Sequence, residues 1–156
     1  MRPYKKLFSN HVQYVENEVK ALQILTHPQF PAFFGSGNVH GTPYMLMGKM
    51  EGRTFEELTF QEGEKYSEAE SLQLGLQLIE LVDWIHQKGY VHRDLRIPNI
   101  LYHQGSLNII DFGLACERQS DGEEKFTHSD YMRGKSNKSD FYAIGHFLIV
   151  LIVFIL

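Results

Sequence analysis

Residues 91–113 read VHRDLRIPNILYHQGSLNIIDFG, and no other stretch constrains the chain as tightly. Two short apolar runs, Ile100-Leu101-Tyr102 and Leu107 to Ile110, flank the turn His103-Gln104-Gly105-Ser106. Runs of that length about a Gly-containing turn predict a β-hairpin. Asp94 then lies on the loop before the hairpin, Asn99 where the chain enters it, and Asp111 where it leaves. The two ends of a hairpin are neighbours in space. Three oxygen-bearing side chains are therefore expected to converge.

The segment before the loop supplies its base. Ser67 and Glu70 form an S-x-x-E capping box, and Gly89 marks a stop, which predicts a helix from about 68 to 88. Leu72, Leu76, Ile79 and Val82 make one apolar stripe; Leu74, Leu78, Leu81 and Ile85 make a second. A helix apolar on two sides is expected to be buried on two sides. Upstream, residues 10–26 predict a helix capped at Asn10 with Gln13, carrying Val12, Val15, Val19, Leu22 and Leu25 on one stripe and ending at His27-Pro28. PAFFGSG and TPYMLMGKM read as two strands joined by a Gly-rich turn. GRTFEELTFQEGEKY is polar and loop-like, with room for a short helix. The expected class is α+β in one domain, which 156 residues at 43% hydrophobic and 22% charged can support with a core.

Charge and cysteine content narrow the setting. A net charge of −4 with scattered Lys and Arg gives no sign of a nucleic-acid partner. The single cysteine, Cys116, allows no internal disulfide, so a reducing cytoplasm is the simplest location. MRPYKKLFSN lacks the apolar core of a signal peptide. The apolar run FLIVLIVFIL, 147–156, is shorter than the roughly 20 residues of a membrane span. It is expected to be a buried helix, so that the chain breaks off in mid-core. Left exposed it would aggregate unless further chain or a partner covered it.

A carboxylate and an amide oxygen suit Mg²⁺, which takes a few protein oxygens and completes its shell with water and phosphate. A further carboxylate can accept a proton from a hydroxyl. Phosphoryl transfer needs little beyond metal, positioning and charge stabilisation. Asn99 and Asp111 fit the metal role and Asp94 the base, with Arg96 placed to meet phosphoryl oxygens. Taken singly, each of these residues would serve equally well as a solvated or capping polar group at a hairpin end. The spacing of all of them together argues for the chemistry.

His92-Arg93-Asp94-Leu95 with Asn99 resembles the catalytic loop H-R-D-L-x-x-x-N of protein kinases, and Asp111-Phe112-Gly113 resembles their D-F-G. The resemblance extends from about residue 10 to the end. It implies a kinase-like α+β fold, with residues 1–50 a partial small lobe and 51–156 part of a larger, mostly helical lobe. Glu18 is similar to the glutamate of the αC helix, and YMLMGKMEG to the fifth strand and hinge. Met47 would then be the gatekeeper, and Gly48 to Met50 would offer backbone groups to adenine. Asp140 in SDFYAIG is similar to the aspartate that holds the catalytic loop's backbone, and the His92 equivalent packs and hydrogen-bonds within that loop. ATP and Mg²⁺ are the implied cofactors and a protein Ser or Thr hydroxyl the implied acceptor.

The chain also departs from that pattern. No G-x-G-x-x-G precedes Glu18, so the chain reads as truncated at both ends of the domain. Lys5 and Lys6 are candidates for the nucleotide-binding lysine, although solvated charge accounts for both. GSGNVHG at 35–41 joins two strands and reads as a hairpin turn rather than a phosphate loop. There is no A-P-E between Gly113 and Asp140. Thr127, Ser129 and Tyr131 in that stretch are candidate phosphorylation sites, with Arg93 placed to receive the added charge. The eight histidines match no compact zinc spacing, and Trp84 reads as packing on the long helix. Two alternatives stay open: a small-molecule kinase of the aminoglycoside-phosphotransferase type, and a catalytically inactive remnant acting as a binding module.

Overall fold

The computed structural model describes residues 3–7, 12–118 and 134–153. Three helices and three small antiparallel sheets share one core. Strand β1 (Pro3–Leu7) is followed by helix α1 (Val12–Ile24), then β2 (Phe33–Val39) and β3 (Thr42–Gly48). Strand β3 is central in this first sheet, with β1 and β2 antiparallel on either side. The β1 register sets Lys5 opposite Leu46 and Lys6 opposite Met45. The candidate cap Asn10, the candidate phosphorylation sites Thr127, Ser129 and Tyr131, and Phe154 to Leu156 lie outside the described residues.

The expected Gly-rich turn is narrower than GSGNVHG suggests. Gly35 and Gly37 belong to β2, and the reversal uses only His40 and Gly41. Strand β4 (Arg53–Thr54) leads into a single π-helical turn, Glu57–Gln61. That turn holds part of the segment read as loop with room for a short helix.

Helix α2 (Glu68–Gln87) begins as its sequence specifies. Ser67 Oγ accepts from Glu70 N at 3.3 Å, and Glu70 Oε2 accepts from Ser67 N at 2.7 Å. The reciprocal bonds satisfy two amides that would otherwise lack partners. The stripe of Leu74, Leu78, Leu81 and Ile85 is buried. The expectation of burial on two sides fails for the other stripe: Val82 is buried, but Leu72, Leu76 and Ile79 are 57%, 61% and 41% exposed. Among the described residues, α2 packs on α3, β5 and β7. Periodicity marks both stripes as apolar but cannot say whether each meets a neighbour.

After α2 come β5 (Tyr90–Val91), a 3₁₀ turn (Ile97–Asn99), and the predicted hairpin, β6 (Ile100–His103) with β7 (Ser106–Ile109). Gln104 and Gly105 turn it with φ of 48° and 86°. Two consecutive positive φ values match the right-handed twist of the strands, and glycine takes the second without a Cβ penalty. Strand β8 (Cys116–Glu117) pairs with β5, and helix α3 (Asn137–Val153) closes the described chain. A Cβ on Gly75 would come within 2.6 Å of Leu148 Cδ2, so the glycine sets how closely α2 and α3 approach. The apolar end of α3 is buried on one side only. Phe147 and Leu151 are buried while Ile149, Ile152 and Val153 are exposed, which corrects the expectation of a wholly buried run.

One continuous apolar cluster joins these parts. It runs from Val15 and Leu22 on α1 through Phe30, Met45 and the α2 leucines to Ile100, Leu107, Phe112 and Phe147. Phe30 lies between Trp84 (ring centroids 5.7 Å apart) and Phe112 (5.2 Å). Trp84 is thus packing, as expected. Burying such side chains contributes about 1.5–3 kcal/mol each, and Phe112, next to Asp111, is one of them.

Candidate active site

The loop from His92 to Asn99 is held from beneath by a buried carboxylate. Asp140, on the first turn of α3, has no exposed surface. Its Oδ2 accepts from His92 N at 2.9 Å and lies 2.9 Å from His86 Nε2; its Oδ1 accepts from Arg93 N at 2.8 Å. An ionised carboxylate taken out of water is penalised by several kcal/mol unless donors replace the solvent. Here three donor groups do so, two of them backbone amides. This is the contact expected of Asp140. His86 is new: it lies on the buried side of α2, and its only sequence signal was a polar residue within an apolar stripe.

With its amide fixed, Arg93 adopts a φ of 68°. A non-glycine residue in that region carries roughly 1–3 kcal/mol of strain and persists only where surrounding contacts enforce it. The Arg93 side chain donates to Leu114 O at 3.2 Å, in the segment that follows Gly113. His92 is fully buried, packs edge-on against Phe112 at 4.7 Å, and its Nδ1 accepts from Asp94 N at 3.3 Å. Burial holds its pKa below the ordinary histidine value, against the pull of Asp140, Asp94 and Asp111. The ring is therefore a neutral spacer between loop and hairpin.

Asp94 is oriented by Arg96 and Asn99, a pairing that the spacing of these residues did not announce. Arg96 donates through Nε to Oδ1 at 2.7 Å and through Nη2 to Oδ2 at 3.0 Å, a bidentate pair. Asn99 Nδ2 donates to Asp94 Oδ2 and to Asp94 O, both at 2.9 Å. The Asp94 side chain is 11% exposed and the Arg96 side chain 51%, so one member of the pair is fixed and the other faces solvent. Hydrogen bonding to Asp94 holds the guanidinium pKa above its usual value.

Asp111 is brought to this cluster by the hairpin. Ile110 N donates to Asn99 O at 3.0 Å, joining the strand exit to its start. Asp111, like Arg93, is left-handed without being glycine, with a φ of 64°, and its Oδ1 accepts from Gly113 N at 3.4 Å. Phe112 is buried and its N donates to Glu18 Oε1 at 3.3 Å. Glu18 is itself 1% exposed, which puts this α1 carboxylate at the hairpin exit. Asn17 adds a bond from Nδ2 to Gly113 O at 3.2 Å, which no sequence pattern announced.

A cavity of about 390 Å³ lies between the first sheet and the hairpin. Glu18, Met47, Gly48, Met50 and Asp111 line it, as do Pro31, Leu101 and Ile110. The first five were expected; the last three form an apolar surface that reads in sequence as ordinary core. Asp94, Arg96 and Asn99 are not on its wall. They form the adjoining hydrogen-bonded cluster, connected to Asp111 through the Ile110–Asn99 bond. The arrangement can hold an apolar planar group on one side, an anion with a hard cation near Asp111, and a hydroxyl at Asp94.

Comparison with known proteins agrees with this geometry. The protein kinase domain model matches residues 3–154. The chain is 32% identical to the probable serine/threonine-protein kinase YbdM of Bacillus subtilis (strain 168) over 97% of this chain and 57% of that protein. It is 33% identical to the calcium/calmodulin-dependent protein kinase type II subunit delta of Oryctolagus cuniculus, over 78% of this chain and 24% of that protein. It is 29% identical to the serine/threonine-protein kinase PrkC of Bacillus subtilis (strain 168), over 82% of this chain and 22% of that protein. It therefore spans just over half the length of the first relative and about a quarter of the other two. Among the described residues no helix is long and apolar enough to cross a membrane. The loop held by Asp140, the paired Asp94 and Asn99, and the buried Phe112 beside Glu18 occur in a chain that belongs to the protein kinase domain family.

Proposed function

We propose that the chain carries out, or forms the reacting core for, phosphoryl transfer from ATP to a Ser or Thr hydroxyl of a protein. The observation that carries this reading is the fixed carboxylate of Asp94, gripped by Arg96 and Asn99 beside a cavity that ends at Asp111. Residues 1–50 would provide one wall of the nucleotide site and 51–156 the reacting loop. Adenine would lie against Met47 and Leu101, with the backbone of Gly48 to Met50 as its polar edge.

Mg²⁺ fits the residues present. Asn99 commits its Nδ2 to Asp94, which leaves the amide's carbonyl oxygen as its remaining polar atom. Asp111 adds a carboxylate at the cavity wall. These are hard oxygens of the kind Mg²⁺ takes. The bound ion would offset phosphate charge. Asp94 accepts the hydroxyl proton. An arriving hydroxyl displaces the exposed Arg96 from the carboxylate rather than the buried Asn99, and the released guanidinium faces the phosphoryl oxygens. Glu18 holds the Phe112 amide and so fixes how Asp111 enters the cavity. Arg93 keeps the loop against Leu114.

The test has separable arms. Mg-ATP should raise the melting temperature of the wild-type chain, and Asp111→Asn should abolish the shift. Asp94→Asn should keep it while phosphoryl transfer falls by about 10²–10⁴-fold. Labelled ATP offered with protein substrates or with small hydroxyl compounds should label the proteins. No melting shift at millimolar Mg-ATP would sink the nucleotide reading, and labelling of small compounds alone would reassign the acceptor.

A further inference from the structure

A cavity of about 200 Å³ lies at the turn end of the β6–β7 hairpin, whose open end carries Asn99 and Asp111. It shares no lining residue with the cavity that ends at Asp111. The segment before α2 contributes Glu64 and Tyr66, the helix contributes Glu70 and Gln73, and the hairpin contributes Tyr102. Gln77 ties helix to hairpin across the cavity wall: its Nε2 donates to Gly105 O at 3.0 Å and its Oε1 accepts from Leu107 N at 3.1 Å. Both tyrosine rings pack on Phe55, which has no exposed surface, at centroid distances of 5.6 and 6.0 Å. The walls are thus built on the core. The volume is below the roughly 300–1,000 Å³ of ligand pockets and suits one group of side-chain size.

Tyr66 is the group that packing alone does not explain. It is 7% exposed, and its hydroxyl has no hydrogen-bond partner among the described residues. A buried hydroxyl left in that condition is unfavourable unless something else bonds it. The groups that act on it belong to the same cavity. Burial, then Glu64, Tyr102 and Glu70, push the phenol's pKa up to about 12, so the oxygen stays protonated in a negative field. Glu70 engages the helix cap through Oε2, which leaves Oε1 for the cavity. Lys65 is the one cation on the wall, so the lining keeps an excess of one negative charge.

An anionic lining with a phenol oxygen, an amide oxygen from Gln73 and two aromatic rings attracts a cation rather than an anion. A guanidinium suits it best, being planar, weakly hydrated, rich in donors and prone to stack on aromatic rings, whereas an ammonium holds its water more strongly. Independently of the reaction proposed above, we infer that this cavity binds a guanidinium group, carried by an arginine side chain of a partner polypeptide or by a free alkylguanidine.

The experiment uses the full chain and follows binding by isothermal titration calorimetry. The probes are butylguanidinium, butylammonium, and short blocked peptides carrying Arg, Lys or the uncharged isostere citrulline at one central position. A guanidinium probe should saturate a single site and bind at least about threefold more tightly than its ammonium counterpart, and the citrulline peptide should not bind. Tyr66→Phe removes only the unpartnered oxygen. It should weaken binding by about tenfold or more and leave the melting temperature unchanged or raised. Glu64→Gln, an exposed change, should weaken binding by about threefold, and Lys65→Gln should strengthen it. Saturation by the Arg peptide alone would support the site and name a polypeptide as the source; saturation by butylguanidinium alone would support it and name a free ligand. Saturation by both would support the guanidinium group itself as what is recognised. Equal or tighter binding of the ammonium probes, binding unchanged in folded Tyr66→Phe or Glu64→Gln, or no saturation at millimolar probe would overturn the inference.

Discussion

The loop that carries Asp94 and the wall that carries Glu18 face the same hairpin, yet they are fastened differently. Beneath the loop, the fully buried Asp140 bonds two backbone amides at 2.9 and 2.8 Å and meets His86 at 2.9 Å. On the wall, Glu18 and Asn17 reach the Asp111–Gly113 turn through bonds of 3.3 and 3.2 Å, and much of the remaining hold is aromatic packing through Phe30 and Phe112. A buried charge with several donors is close to all-or-none: removing it strands every donor. The two wall bonds are longer and lie over an apolar seam. The loop beneath Asp94 is thus held by the shorter bonds, and the wall of the proposed nucleotide site by longer bonds together with aromatic packing.

The largest expected effect tests the loop side. Asp140→Asn should lower the unfolding free energy by about 3–5 kcal/mol in denaturant titrations, because a buried pair is broken and donors are left facing an amide. A loss below 1 kcal/mol would break the contrast. Glu18→Gln keeps the shape of the wall contact and loses its charge. It should cost about 1.5–3 kcal/mol, the range for hydrogen bonds to charged groups. A loss equal to that of Asp140→Asn would mean that the two sides are equally fastened.

His92 gives the loop a pH signature. Burial depresses its folded pKa below 6.5, so below that pH the unfolded state binds a proton that the folded state refuses. Stability is full above pH 6.5 and should fall on acidification by up to about 1.4 kcal/mol per pH unit until the folded value is reached. His92→Gln should flatten this slope in titrations read at several pH values. An unchanged slope would place its origin elsewhere.

Two smaller effects show how far the anchorage extends along α2. Ser67→Ala removes the cap at the end remote from Asp140 and should cost about 1 kcal/mol by thermal melting. Leu76→Gln on the exposed stripe should change stability by no more than about 0.5 kcal/mol. A larger loss would show that this stripe is covered in solution.

Much of the site was legible because local rules specify it. A capping box, a Gly-containing turn between apolar runs and the intervals among Asp94, Asn99 and Asp111 require no distant partner to be read. Asn17, Gln29 and His86 were not legible, because each acts through bonds to a remote segment. Gln29, for example, donates from Nε2 to Leu107 O at 2.9 Å, while its own carbonyl accepts from Ile109 N at 3.0 Å. A polar residue bearing such a bond has no periodicity to betray it.

By itself the sequence determined the helix α2, the hairpin and the order of the oxygen donors along the chain, since these follow from short-range periodicity and turn chemistry. Only the tertiary structure decided which apolar faces are buried, that Asp94 is gripped by both Arg96 and Asn99, and that Glu18 reaches Phe112 across the core. Those outcomes depend on which surfaces meet, and burial free energy is a property of the pair rather than of either strand of sequence.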